Sequence, residues 1–366
     1  MKVESAIPEW LVRERTIPPN TPTNFDPAFE LYTSRFPRNT EDLVLAVVGA
    51  QYPSASLNDG NAIKTISSFI NLSSPSSRPG LHKVAAVTDN QGHFNIAVLL
   101  YWKSKANLDE WLTTSGFDQW WDGLTPGSHQ HGWFLDVFYP TIDRFETVIT
   151  TEVPQGAANL RETMSGPIQE HVYWGSMRDR FPISQRDALV GETSNIHPRN
   201  ETSAPSSATG RRVVPGKKNL VVIRSGQDWS VAAPEERQLY LNTMHPVLIK
   251  GMDFLRDQGD QVGCFSCRFM EIVDPVTQKG GTDQTFGLAY FDSLASLEKW
   301  SKEHRTHLEI FAGFSKHAKK LGDSMSLRLF HEVLVLEPEQ QRFERRETAN
   351  RRIRFFASQY DLNELE

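Results

Sequence analysis

Two stretches decide how this chain folds, YWKSKANLDEWLTTSGFDQWW (101–121) and YFDSLASLEKWSKEHRTHLEIF (290–311). Laid over one another without a gap, they match Tyr101 with Tyr290, Ser104 with Ser293, Leu108 with Leu297 and Trp111 with Trp300. Each follows a strand-like run, FNIAVLL and QTFGLA, with the alternation and β-branched content of a half-buried strand. A duplicated pattern of this kind fixes an architecture before any motif is invoked.

The match extends in both directions. The first copy reads as strand DLVLAVV (42–48), a helix from Asn61 with Ile63, Ile66, Phe69 and Ile70 on one face, strand KVAAVT, a hairpin turn DNQGH, the quoted helix, and strand WFLDVFYP. The second reads as NLVVIRS (219–225), a helix through ERQLYLNTM and VLIKGMDFL, strand CFSCRFMEIV, turn KGGTD, the quoted helix, and LRLFHEVLVLE. Both copies finish with RFE, at Arg144 and Arg342. The order β-α-β-β-α-β is the ferredoxin-like one, an antiparallel sheet with both helices on one face. Two such sheets can pack through their uncovered faces, so the predicted fold class is α+β, two ferredoxin-like βαββαβ repeats forming a barrel-type core with outer helices. The predicted organisation is an arm at 1–40, a first repeat at 41–147, an insertion at 148–218, a second repeat at 219–338 and a charged tail at 339–366. The insertion holds an aromatic and arginine-rich motif, HVYWGSMRDRFPIS (171–184), and a loop rich in Ser, Pro and Gly. In the tail, EPEQQRFERR reads as solvated charge and QQRFERRETANRRIRFF as a terminal helix.

Composition narrows the class. A chain of 366 residues with 39% hydrophobic content, 9 Trp and 21 Phe is globular, and a net charge of -6 argues against a polyanion partner such as nucleic acid. No apolar run has membrane-spanning length and the N-terminus lacks the apolar core of a signal peptide, so a soluble, cytoplasmic protein with no membrane association is expected. The two cysteines, Cys264 and Cys267, exclude a disulfide framework. Their C-x-x-C spacing falls inside a predicted strand, where positions three apart point to opposite faces, and they read as unpaired and structural.

Structural positions of a duplicated scaffold should agree and functional ones should differ. Opposite His307 the first copy has Asp118, opposite His304 it has Ser115, and opposite His331 it has Leu135. If GAQ (49–51) meets SGQ (225–227), Ser225 lies opposite Gly49. Helical phase sets His307 within an arc of Leu297, Trp300, His304, Leu308 and Phe311, facing inward. Period two sets His331 on the apolar face with Leu327, Leu329, Val333 and Val335. A buried imidazole without partners costs about 1–3 kcal/mol, so each of the two is either a satisfied core residue or a ligand. A zinc pair from His304 and His307 lacks a Cys or an Asp/Glu-plus-His set to complete a tetrahedron. Axial ligation of haem needs one histidine on a hydrophobic wall, with His304 then a bystander. Taken alone, Arg178 reads as a surface ion-pair partner of Asp179 or Glu170.

The strings HVYWGSMRDRFPIS, LVVIRSGQDW, GMDFLRDQG, THLEIF and LFHEV, in this order, closely resemble the aldoxime dehydratases, also called phenylacetaldoxime dehydratases, from about residue 40 to 340. The resemblance implies a dimeric α+β barrel of the ferredoxin-like type and a haem b cofactor, ferrous when active. It implies that His307 in THLEIF is the proximal haem ligand and His331 in LFHEV the distal catalytic histidine. Ser225 in IRSGQDW is then the hydrogen-bond partner of the substrate hydroxyl, and Arg178 in GSMRDRF acts in the distal pocket. The implied reaction is dehydration of an aldoxime, R-CH=N-OH, to a nitrile and water, with the oxime nitrogen on the iron and His331 as acid and base. One departure from the family pattern is a longer segment between the two histidines, containing KHAKKLGDSMS. A haem carrier or sensor, or an oxidative haem enzyme, is the alternative on the same scaffold, and fold alone does not choose.

Overall fold

A computed structural model describes residues 3–172, 177–192 and 210–347. Eleven strands make one curled antiparallel sheet: β1 (Val44–Tyr52), β2 (Leu81–Thr88), β3 (Phe94–Trp102), β4 (Gly132–Phe138), β5 (Phe145–Ile149), β6 (Arg211–Val214), β7 (Leu220–Asp228), β8 (Cys264–Ile272), β9 (Gln284–Phe291), β10 (Arg328–Leu336) and β11 (Gln341–Arg346). The order across the sheet is β5-β10-β7-β9-β8-β2-β3-β1-β4-β11-β6. Within β7–β10, and again within β1–β4, the strands stand last, first, third, second. The two halves join where β8 meets β2, through Glu271 opposite Ala86 and Ile272 opposite Ala85.

Helices α1 (Asn61–Leu72), α2 (Lys105–Thr114) and α3 (Phe117–Gly123) cover the first half, and α4 (Pro234–Gln258), α5 (Leu294–Glu303) and α6 (Arg305–Leu321) the second. None of the described helices is long and apolar enough to cross a membrane. Ser104 and Ser293 start α2 and α5 in the same way, each side chain accepting from the backbone N–H three residues on, at Asn107 and Ser296. The long helix expected in each half is broken, at Gly116 with φ 80° in the first and at the extended His304 in the second.

The shared RFE explains the curl. β5 leaves the first half to pair with β10, and β11 leaves the second half to pair with β4. Their phenylalanines, Phe145 and Phe343, meet in one inner core with Leu45, Leu99, Val222 and Leu288, drawn from both halves. A second apolar layer lies under the helices on the other face, which is why all nine residues of β1 are buried. In an antiparallel sheet covered on both sides, alternation gives way to near-continuous apolar runs.

Three expectations are corrected. Residues 341–346 are strand rather than helix, and Glu344, Arg345 and Arg346 are buried rather than solvated. Each has an opposite charge in reach, Arg345 on Asp136 at 2.5 Å and Arg346 on Asp122 at 2.9 Å. The remainder of the tail from 348, like most of the Ser/Pro/Gly loop and residues 173–176 of the aromatic motif, lies outside the described residues. Cys264 and Cys267 share a face, because a β-bulge between Cys264 and Ser266 resets the alternation, and both enter the apolar cluster with Met252 and Leu255. Burial pushes the Cys267 thiol up to about 12 and the Cys264 thiol well above its ordinary value, so neither is a thiolate at neutral pH.

Candidate active site

The break at His304 builds the first part of the site. The last carbonyls of a helix have no partner within it. At the end of α5 the Trp300 carbonyl takes the His304 N–H, and the Ser301 backbone takes a hydrogen bond from the His307 ring across the break. His304 is a capping residue: its ring accepts from the Thr306 N–H and stacks on Phe254, centroids 4.1 Å apart. The break also rotates α6 against α5, so Leu308, expected on the inward arc, is 40% exposed, while His307 is buried with Trp300 edge-on at 4.8 Å. Burial, only partly countered by the Ser301 hydrogen bond, lowers the His307 pKa to about 3, with a smaller contribution from the charge of His331. His307 is thus a neutral imidazole at physiological pH, with one nitrogen committed to the backbone.

His331 stands on β10 directly opposite Ser225 on β7, both side chains on the face turned to the helices. The ladder corrects the sequence register: Tyr101 pairs with Leu45 and Tyr290 with Val222, so Ser225 corresponds to Val48 and Gly226 to Gly49. Both glycines make room for a phenylalanine ring from the strand alongside, Phe134 and Phe330, which a Cβ would strike at 2.4 and 2.0 Å.

The partners of His331 were not singled out from sequence. Its Nε2 lies 3.1 Å from Glu146 Oε1 and 3.1 Å from Arg180 Nη2. With a proton on Nε2 the ring donates to Glu146; without one it accepts from Arg180, so this nitrogen has a partner in either state. Arg180 Nε also donates to Glu146 Oε2 at 2.8 Å. Burial would raise the Glu146 carboxyl, but Arg180 and then His331 outweigh it and hold it at about 2. Arg178, the expected distal arginine, points elsewhere, to Glu298 at 2.8 Å and the Ala188 carbonyl at 2.5 Å. It shares a single 3-10 turn with Arg180, and at about 120° per residue positions two apart leave such a turn in different directions. The signal for Glu146 was the RFE that ends both copies.

In the other half a tryptophan meets the corresponding carboxylate. Glu344, the RFE carboxylate there, accepts from Trp121 Nε1 at 2.9 Å, and Trp121 stacks on Phe117. In the second half the segment joining α6 to β10 is anchored by Glu236, a buried carboxylate that accepts from the backbone N–H groups of Ser326 and Leu327. The extra length between the two histidines is therefore tied down just before β10 begins.

The profile of haem-containing dehydratases matches residues 46–345. The chain belongs to this family. Proteins similar to it include an aliphatic aldoxime dehydratase of Pseudomonas chlororaphis, 35% identical over 347 residues, with 93% of this chain and 95% of the relative covered. A phenylacetaldoxime dehydratase of Bacillus sp. (strain OxB-1) is 29% identical over 322 residues, with 87% and 88% covered. Among solved structures, an aldoxime dehydratase in complex with butyraldoxime superposes with a TM-score of 0.85 at 34% identity, 94% of each chain covered. The residues of this haem-containing dehydratase fit the cofactor. A ligating imidazole has to be neutral, and its second nitrogen is typically tied to a carbonyl or carboxylate; His307 meets both conditions on α6, whose Ile310 packs in one apolar cluster with Met252 and Trp300.

Proposed function

We propose that this chain dehydrates aldoximes to nitriles on a haem held by His307. The observation that carries the reading is the buried, neutral imidazole of His307 on α6 combined with an acid–base group made of His331, Glu146 and Arg180, which the crossing of β5 to β10 brings together. Held by His307, a ferrous haem would supply Lewis-acid activation that weakens the N–O bond of the oxime. The chain's own residues manage the protons. His331, charged, gives a proton to the departing hydroxyl oxygen, and the neutral ring then takes the C–H proton, so the histidine ends as it began. Glu146 stabilises the charged ring, and Arg180 takes the distal role first assigned to Arg178, steadying negative charge on the leaving oxygen. Ser225, across the ladder from His331, orients that hydroxyl.

The strand order of each half supports reading the fold as two ferredoxin-like units closed into a barrel. The test is anaerobic: dithionite-reduced, haem-loaded protein is mixed with butyraldoxime and butyronitrile is followed by gas chromatography. Nitrile with a shifted Soret band is the expected result; a haem spectrum indifferent to the oxime, with no nitrile, rejects the proposal.

A further inference from the structure

We infer that the N-terminal arm, residues 5–21, is a working part of the distal site, holding Arg180 in place through Asp179 and Glu170. The inference rests on the dehydratase reading above, in which Arg180 acts beside His331. Arg180 closes a 3-10 turn of three residues, Arg178–Arg180, too short to be rigid by itself. Its neighbour Asp179 is 2% exposed and accepts three hydrogen bonds from the arm: Asn20 N–H at 3.0 Å, Thr21 N–H at 2.6 Å and Thr21 Oγ1 at 2.7 Å. Glu170 grips from the other side. Its carboxylate accepts from the Ala6 N–H at 2.7 Å and Ser5 Oγ at 2.8 Å, while its own carbonyl accepts from Arg180 Nη1 at 2.8 Å. Beyond these anchors, Pro8, Trp10 and Leu11 line a small cleft together with Glu146, Thr147 and Arg180. Ala6 packs on Val148, the residue paired with His331.

Asp179 is therefore a positioning residue. A buried carboxylate stripped of its donors cannot stay where it is, and the turn that carries Arg180 moves with it. A loosened arm also admits water to Glu146, weakening the field that Glu146 and Arg180 exert on His331.

The test compares full-length, haem-loaded Asp179→Asn and Thr21→Val with wild type. Both variants are expected to keep one haem per chain, to lose about tenfold in kcat for butyraldoxime with KM changed less than about threefold, and to shift the C–O stretch of the ferrous CO complex, which reports positive charge beside the bound gas. Thr21→Ser, which restores the hydroxyl, brings both readouts back. Tyr290→Phe, which removes a buried hydrogen bond to Asp136 inside the barrel, lowers thermal stability and leaves the CO band alone. Wild-type kcat and CO band in Asp179→Asn and Thr21→Val overturn the inference, as does an equal shift in Tyr290→Phe. If wild type makes no nitrile yet the CO band moves in the two arm variants, the dehydratase reading fails and the arm's hold on Arg180 stands.

Discussion

Glu146 and His331 meet at 3.1 Å on neighbouring strands, β5 and β10, that come from opposite halves of the chain. The proposed acid–base group depends on the crossing of β5, and its carboxylate is buried, where a charge acts with far more force than in water. Glu146→Gln removes that charge while keeping the shape. The expected outcome is a fall in kcat of about 10²-fold with haem content unchanged, read from steady-state kinetics and the Soret absorbance.

The same carboxylate sets a pH dependence. Its pKa is about 2 in the folded chain against an ordinary 4.5. A depressed acid pKa means the unfolded chain binds the proton first as pH falls, so the contribution is whole above about 4.5 and is lost on descending towards 2, amounting to about 3 kcal/mol. Glu146→Gln has no such proton to take up. Urea unfolding at a series of pH values should show the gap between wild type and variant closing through this window; a constant gap contradicts the assignment.

Arg178 and Arg180 separate the sequence expectation from the geometry. Arg180→Met strips Glu146 and His331 of their shared partner and is expected to lower kcat by about 10²-fold or more. Arg178→Met breaks the pair with Glu298 and a bond to the Ala188 carbonyl, and should cost about 1–2 kcal/mol of stability with kcat within a few-fold of wild type. Kinetics and thermal melting of the two variants side by side decide it, and the reverse ranking restores Arg178.

Much of this was legible because the chain repeats itself. Tyr101 over Tyr290 and Ser104 over Ser293 located the second strand pair and helix of each half, and the unequal positions pointed at His307 and His331. Legibility ended where a local break changes direction. The bulge at Cys264 and the kink at His304 each offset a simple periodicity, and a one-residue slip placed Ser225 over Gly49 rather than Val48. Glu146 was hidden for another reason: its contact with His331 arises from a crossing between halves, and a reading that keeps each copy to itself places RFE at the end of a unit.

Ser225 gives a finer measure. It faces His331 across the ladder on the side turned to the helices, and in the proposed reaction its hydroxyl would orient the leaving group without carrying charge. Ser225→Ala should therefore lose less than Glu146→Gln or Arg180→Met, about 10-fold to 10²-fold in kcat/KM with haem retained. A loss as deep as that of His331→Ala indicates a proton-transfer role for the serine.

His307 and His331 differ in what their removal should take away. His307 is buried, neutral at physiological pH and tied to the Ser301 backbone, the state an iron ligand requires, whereas His331 is bracketed by a carboxylate and a guanidinium, the surroundings of a proton carrier. His307→Gly should lose the haem spectrum, and added imidazole, small enough to enter the space left by the ring, should restore ligation in part. His331→Ala should keep a full Soret band and lose turnover by about 10³-fold or more. A colourless His331→Ala beside a haem-loaded, active His307→Gly would exchange the two roles.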